Sequence, residues 1–231
     1  MIKLFQTYYN DHQKNNLLEG FIPYLNDEKS ILVENKCIFD IRHKFPMEDA
    51  SYVGVFSYKL HEKILSRPTF KTMSECISSN SDVDIFSNNI NNLWWGPLRI
   101  PQPIYFPNQC NMKDLAIPLL TDLADLGVIK QSSIALWTKV YDKPIFCNFW
   151  IAKSSIFTDY VDNFLVKVFD LVDSYDKNHC VFTPDVGYPS GPPPEWQQAT
   201  GLSHYPIITF ILERLINIYM LDKNLNHQAI L

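Results

Sequence analysis

Three polar residues, Ser57, Tyr58 and Lys59, directly follow an apolar run in the stretch YVGVFSYKLHEK, residues 52–63. The first five residues of this stretch are β-branched, aromatic or small and show no alternation, which predicts a strand covered on both faces. In an open α/β sheet, side chains just past the carboxyl end of such a strand line the crevice where ligands bind. A lysine ammonium there can neutralise a phosphate group. We therefore expect Ser57, Tyr58 and Lys59 to line a ligand-binding crevice.

A second candidate is the Asp-x-Asp pair formed by Asp82 and Asp84, which adjoins a strand-like Val-Asp-Ile-Phe. Two carboxylates with one residue between them can reach the same divalent ion if the chain turns there. Oxygen-rich sites suit Mg²⁺ or Mn²⁺ that holds a diphosphate. His204 could complete such a site from the C-terminal side. The pattern is short, so a solvent-facing acidic pair and a histidine that merely precedes a helix stay open.

Two further strand-like segments carry polar candidates. Residues 2–7, IKLFQT, predict a first strand, and Gln6, Thr7 and Tyr8 at its end are candidates for base and ribose contacts. An ordinary strand followed by a solvated turn is the alternative. Asn148 stands alone inside the buried apolar run IFCNFWI, where its amide must find partners in the backbone or in a ligand.

The composition excludes several classes of protein. A chain of 231 residues with 46% hydrophobic residues can bury a core and is not disordered. The net charge of -5 gives no global basic field, so a nucleic-acid partner would have to meet a local patch. The five cysteines are far apart and indicate reduced thiols. The start of the chain lacks a signal-peptide pattern and no window approaches a membrane span, so we expect a soluble, cytoplasmic protein.

Periodicity and turn residues predict the remaining elements. Residues 17–26 and 91–111 are predicted as ordered loops, and the second of these presents Trp94 and Trp95, which stack on a ligand or plug the loop onto the core. Residues 134–140 are predicted as a strand. Helices are predicted over residues 30–45 (capped by Ser30 and stopped by Pro46), 69–78, 112–126, 154–172 and 205–221, the last as a buried core helix whose Glu213 and Arg214 must be paired or reach a polar site.

Several stretches together resemble one family. FIPY, Glu34 on the next helix, YVGVFSYKLHEK, FCNFWIAKSSIFTDYVDNF and FILERLINIYM occur in an order similar to that of bacterial glycosyltransferases from capsule and surface-polysaccharide clusters. Members of that family show His-Tyr-Arg-Arg after a small apolar strand, an Asn-Met-Phe-Ile stretch and a late Phe-Leu-x-Glu-Arg-Leu. The resemblance covers nearly the whole chain. Here Ser57-Tyr58-Lys59 replaces His-Tyr-Arg-Arg, so only Tyr58 and one cation carry over.

The resemblance implies a fold and an activity. The fold would be α/β: a GT-A-like single domain over residues 1–231, with helices on both faces of a central mixed, mostly parallel sheet. Residues 1–90 would form the nucleotide-sugar-binding half and residues 91–231 the acceptor-side half with its proline-rich loops. The activity would be transfer of a sugar from a nucleotide-sugar donor, with a UDP-sugar favoured, to a hydroxyl of a surface polysaccharide or glycolipid.

The resemblance also suggests roles for the candidate residues. Lys59 would stabilise the leaving diphosphate. Mn²⁺ or Mg²⁺ bound by Asp82, Asp84 and His204 would supply further positive charge. Asp185, in the turn-rich segment 183–194, is the candidate general base. The expected donor-binding set consists of Gln6, Thr7, Tyr8, Ser57, Tyr58, Lys59, Asn148 and Arg214.

Two alternative functions remain compatible with the sequence. A hydroxylated base in DNA could be the acceptor, in which case Arg42, His43, Lys44, Lys59 and Lys63 would have to form a basic stripe. A non-catalytic carbohydrate-binding protein with the same fold is the alternative outside enzymes, because a second basic residue is missing after Lys59.

Overall fold

The central sheet takes strands from both halves of the chain. The computed structural model describes residues 1–27, 29–63, 69–87, 102–104, 111–141, 144–185 and 191–229. The strands are β1 (Ile2–Tyr8), β2 (Ile22–Leu25), β3 (Tyr52–Ser57), β4 (Ile85–Ser87), β5 (Gln102–Pro103), β6 (Val140–Tyr141), β7 (Trp150–Lys153) and β8 (His227–Ala229). The helices are α1 (Asp11–Lys14), α2 (Glu34–Lys44), α3 (Leu60–Lys63), α4 (Phe70–Ser79), α5 (Met112–Asp125), α6 (Ser154–Asp159), α7 (Val166–Ser174), α8 (Pro194–Thr200) and α9 (Ile208–Asp222).

Six strands form one mixed sheet in the order β2-β1-β3-β7-β4-β8. Strand β1 is parallel to β2 and β3, and β4 is parallel to β8, whereas β7 is antiparallel to both of its neighbours. Five of the six strands in this sheet therefore point the same way. We call the side on which they finish the carboxyl end of the sheet, and β7 begins on that same side. The opposite side is the amino end.

Side-chain alternation along the strands divides the core into two layers. Phe5, Val55 and Trp150 pack with residues of α2, α5, α7 and α9 on one face. Leu4, Phe56 and Phe149 pack with residues of α4 on the other face. Helices thus cover both faces, as predicted. Because every residue of β3 is buried, the prediction that this strand is central and covered twice is confirmed.

Several predicted helices are confirmed with small shifts of their ends. Helix α4 begins after Thr69, whose hydroxyl accepts a hydrogen bond from the N–H of Thr72 in a capping box. Helix α9 is buried along most of its length. Helix α2 starts at Glu34, so Ser30 is not its cap. The residue before it, Val33, has a φ of 45°, a strained value for a β-branched residue.

Two predicted elements were wrong, and the strand expected over residues 145–151 begins only at Trp150, so Asn148 lies in the turn before it. Residues 22–25 form the edge strand β2 and not a loop, and Pro23 is tolerated there because an edge strand has no partner on its outer side. Residues 131–138 form a 3₁₀ helix and not a strand. Its buried Trp137 donates from Nε1 to the carbonyl of Lys113 in α5. The apolar residues of this segment therefore pack against a helix.

A continuous helix runs from α6 through a π-helical segment, Tyr160–Leu165, into α7. Cys37, Cys76, Cys147 and Cys180 form no disulfide with one another, and Cys110 lies outside the described residues, so reduced cysteines stay a prediction. None of the helices in the described ranges has the length and apolarity that a bilayer crossing requires.

Asp159, at the start of the π-helical segment, ties this helix to α9. Its carboxylate accepts hydrogen bonds from Tyr219 Oη at 2.6 Å and Asn163 Nδ2 at 2.9 Å, and Lys223 Nζ lies 3.3 Å away. Burial raises the pKa of Asp159, but these donors outweigh burial and hold the pKa below its usual range. The resulting stabilisation is present above the unfolded-state pKa of about 4 and is lost as the pH falls through the folded-state value.

Tyr219→Phe should therefore lower the free energy of unfolding by about 1.5–3 kcal/mol at neutral pH, because one hydrogen bond to a carboxylate is lost. The difference from the wild-type protein should shrink as Asp159 is protonated. Urea denaturation at a series of pH values measures this. Tyr141→Phe is the matched control, since that hydroxyl donates to the carbonyl of Leu136, which does not titrate. An equal pH dependence in both variants would contradict the role of Asp159.

Candidate functional site

The carboxyl end of the sheet carries a concentration of polar side chains. Thr7 on β1 and Ser57 on β3 are partners in the parallel register and are 1% and 5% exposed. The chain then turns, and the Ser57 hydroxyl accepts a hydrogen bond from the N–H of Lys59 at 3.2 Å. Lys59 itself is exposed, with Nζ 5.5 Å from the centre of the Tyr58 ring. An accessible ammonium therefore lies where β3 leaves the sheet.

Gln6 joins this turn to the loop that follows α1. Its Nε2 donates to the carbonyl of Ser57 at 3.3 Å and to that of Tyr58 at 3.4 Å, and its Oε1 accepts from the N–H of Leu18 at 2.9 Å. The side chain is completely buried. The structure thus places Gln6 under the crevice, with its hydrogen bonds directed to the main chain.

The amino end of β7 brings Asn148 to the same side. The antiparallel register of β3 and β7 pairs Gly54 with Ile151, so the residues that precede β7 approach the carboxyl end of β3. Cys147 and Asn148 both have left-handed backbone, with φ of 60° and 54°. Two successive residues of this kind are unusual outside glycine and indicate a constrained turn.

Helix α9 holds this turn in place. Asn217 donates from Nδ2 to the carbonyl of Ile145 and accepts its N–H on Oδ1 at 2.7 Å. The guanidinium carbon of Arg214 lies 4.2 Å from the centre of the Phe146 ring, and Nη1 lies 4.0 Å from the Glu213 carboxylate. Arg214 is 4% exposed. The register of β3 and β7 therefore brings Asn148 towards the turn that carries Lys59, and Arg214 packs against Phe146 in the segment that precedes Asn148.

Two of these polar groups are buried without a hydrogen-bond partner. They are Thr7 Oγ1 and both amide atoms of Asn148. A buried polar atom that makes no hydrogen bond destabilises a fold by about 1–3 kcal/mol. A buried group of this kind needs an explanation, and a role in binding or catalysis is one of them. Trp150 Nε1 and Tyr160 Oη in the core are unpartnered as well.

An aromatic residue that the sequence analysis did not select, Tyr9, also lies at this end. The residue is 36% exposed, and its ring meets the Tyr58 ring edge to face at 5.9 Å. Burial of the hydroxyl, together with the nearby Glu34, raises the Tyr9 pKa, and a hydrogen bond with Asn26 partly offsets this. The hydroxyl is therefore held by Asn26, while the residue as a whole stays partly exposed. Tyr8, which the sequence favoured, carries Lys14 Nζ 5.8 Å from its ring centre.

The Asp-x-Asp pair lies at the amino end of the sheet, away from Lys59. Asp84 precedes β4, and its carboxylate accepts hydrogen bonds from Lys153 Nζ at 2.9 Å and from the N–H of Asn226 at 3.0 Å. Burial raises the Asp84 pKa, but these two donors outweigh it and keep the pKa low. Lys153 also donates to the carbonyl of Asp82. The pair thus anchors the start of β4.

The remaining predicted residues lie in the segment before α9. His204 makes a 3.0 Å hydrogen bond through Nε2 with the carbonyl of Phe182, and Asp185 is exposed and forms a β-bridge with Pro206. Within the described ranges no three His, Cys, Asp or Glu side chains are grouped so as to hold a metal ion. The three-ligand site expected from Asp82, Asp84 and His204 is therefore not assembled.

Most of the basic residues expected to form a stripe for a DNA acceptor lie close to acidic side chains. Arg42 pairs with Asp162 at 2.7 Å, His43 lies 3.8 Å from the same carboxylate, and Lys44 lies 3.5 Å from Asp40. Lys63 ends helix α3. Trp94 and Trp95 lie outside the described residues. Three of the five cations are thus engaged with acidic side chains.

Comparison with known proteins supports the fold. No protein-family model and no curated protein matches the sequence. The structure is similar to the apo structure of WbbM, a bifunctional glycosyltransferase, with a TM-score of 0.59 at 14% identity over 99% of this chain and 44% of that one. This chain therefore spans less than half of that protein. The likeness is one of fold, and the predicted class, a GT-A-like α/β domain with a mostly parallel central sheet, is confirmed.

Thr7→Val tests whether the Thr7 hydroxyl is an unsatisfied group. Replacing it by a methyl of the same shape should raise the free energy of unfolding by about 1 kcal/mol, because a buried hydroxyl without a partner is removed. Thr209→Val is the matched control, since that hydroxyl donates to the carbonyl of Ile31 and its loss should destabilise the protein. Urea denaturation measures both variants, and a loss of stability in Thr7→Val would contradict the assignment.

Proposed function

We propose that this chain is a nucleotide-sugar-dependent glycosyltransferase domain, with the donor bound at the carboxyl end of the sheet. One observation carries the proposal: in a fold shared with a glycosyltransferase, the ends of β1, β3 and β7 bring together an exposed lysine and polar groups without protein partners. Ligands of open α/β sheets bind in such crevices. The same residues would be poorly explained as parts of a purely structural surface.

The chemistry assigns a role to each group. Departure of a nucleoside diphosphate from the anomeric carbon develops negative charge, which Lys59 would stabilise. The exposed face of Tyr9 would stack on the base, and Thr7, Ser57 and Asn148 would hydrogen-bond the ribose or the sugar. Asp185 would accept the proton of the acceptor hydroxyl. Arg214, against Phe146, would add positive charge behind the turn.

Three finer points of the proposal concern the metal, the acceptor and the location. The described residues do not fit the three-ligand metal site expected from the sequence, so no step is assigned to Mn²⁺ or Mg²⁺. For the acceptor we favour a hydroxyl of a surface polysaccharide or glycolipid over a DNA base, since Arg42, His43 and Lys44 are already engaged with acids. A cytoplasmic location stays a prediction.

A thermal-shift screen of UDP- and GDP-sugars, with and without Mn²⁺, tests the proposal. A ligand at 100 times its Kd should stabilise the folded state by about 2.7 kcal/mol and raise the melting temperature. Free sugars without the nucleotide serve as the arm that detects a non-catalytic carbohydrate-binding protein. If no nucleotide sugar shifts the melting temperature, the proposed function is wrong.

Lys59→Ala locates the donor within the protein. Loss of a hydrogen bond to a charged group removes about 1.5–3 kcal/mol, so donor binding should weaken about tenfold or more. The matched control is Lys167→Ala, because Lys167 is an exposed lysine on α7, a helix that packs in the core layer on the opposite face of the sheet from Leu18. Titration calorimetry on both variants measures the difference. Equal donor affinities in Lys59→Ala and the wild-type protein would place the site elsewhere.

A further inference from the structure

Gln6 links the two main-chain segments that flank the crevice. Its three hydrogen bonds run to the carbonyls of Ser57 and Tyr58 on one side and to the N–H of Leu18 on the other. Ser57 is 51 residues away along the chain, so the link is a tertiary one. With 0% exposure, the Gln6 side chain offers no surface to a ligand. Its carboxamide therefore acts on the protein's own backbone.

The backbone segment that Gln6 hydrogen-bonds also fixes the position of Lys59. The carbonyl of Tyr58 belongs to the peptide unit that leads into Lys59, and the N–H of Lys59 is tied back to the Ser57 hydroxyl. A lysine ammonium sits on a flexible four-carbon stem, so its reach is determined by where its Cα is fixed. Two side chains, Gln6 and Ser57, thus determine the turn from which the Lys59 stem starts.

Alternation along β1 places Gln6 on the opposite face from Thr7. Its neighbour on that face, Leu4, packs in the layer that contains Phe56 and residues of α4. Thr7 instead pairs in register with Ser57 at the rim of the crevice. Gln6 consequently supports the turn from the face of the sheet opposite to Thr7.

We infer that Gln6 is a positioning residue for Lys59 in the donor site, with the loop that follows α1 as its anchor through the N–H of Leu18. The inference rests on the proposed function for its effect on donor binding, although the hydrogen-bond arrangement exists without a donor. Misplacing a binding group by about 1 Å can reduce a rate about 100-fold, so a buried residue of this kind influences activity without touching substrate.

Hydrogen exchange tests the positioning itself, with or without a donor. In Gln6→Met the side chain keeps its length but loses all three hydrogen bonds, so the amides of Lys59 and Leu18 should exchange about tenfold faster or more. In Gln6→Glu the carboxylate can still accept from Leu18 but faces two carbonyl oxygens. Faster exchange should then be confined to Lys59 and its neighbours.

Tyr52→Phe is the matched control for stability. The Tyr52 hydroxyl, at the other end of the same strand, donates to the carbonyls of Val83 at 2.7 Å and Ser81 at 3.0 Å. Its removal deletes a comparable tie between β3 and a turn, but at the amino end of the sheet. Tyr52→Phe should lower the melting temperature and leave the exchange of Lys59 and Leu18 unchanged. Unchanged exchange in Gln6→Met would overturn the inference.

A double-mutant cycle connects Gln6 to the donor site. If Gln6 acts through Lys59, Gln6→Met should weaken donor binding about tenfold in the wild-type background and less than about twofold in the Lys59→Ala background. Additive losses would show that Gln6 acts independently of Lys59 and would overturn the inference. A wild-type protein that binds no nucleotide sugar would instead reject the proposed function, and hydrogen exchange would still decide whether Gln6 positions the turn.

Discussion

The alignment of β1, β3 and β7 is the constraint on which the site depends. Parallel pairing places the ends of β1 and β3 side by side, in register at Thr7 and Ser57, and the reversed direction of β7 brings Asn148 to the same end. Residues that are far apart in sequence meet because three buried strands have only one register that keeps their apolar side chains on the correct faces. The site is therefore a consequence of the core.

The two ends of the sheet differ in how their polar groups are satisfied. At the amino end, the Asp84 carboxylate accepts hydrogen bonds from Lys153 Nζ and from the N–H of Asn226. The Tyr52 hydroxyl donates to the turn before β4. At the carboxyl end, Thr7 Oγ1 and the Asn148 amide have no protein partner, and the backbone before β7 is held in left-handed conformation. Because of this contrast and the exposed Lys59, we propose that the donor binds at the carboxyl end.

The sequence allowed part of this arrangement to be predicted. The apolar run before Ser57 indicated a doubly covered strand, and Thr69 marked a helix start, because both signals are local. Strand β2 was missed since Pro23 is a breaker everywhere except on an edge. We expected Asp82 and Asp84 to share a site with Lys59, and the structure separates them. The arrangement of strands in the sheet cannot be predicted from the residue pattern of one segment. The role of Gln6 was equally hidden, since its partners include residues 57 and 58.

A crystal structure of the chain with a bound nucleoside diphosphate sugar is the most direct test of the central claim. We predict that the diphosphate binds at the carboxyl end of the sheet, within ion-pair distance of Lys59 Nζ, with the base against the Tyr9 ring and with Thr7 or Asn148 hydrogen-bonded to the donor. A donor bound at the amino end, beside Asp84 and Lys153, would contradict it.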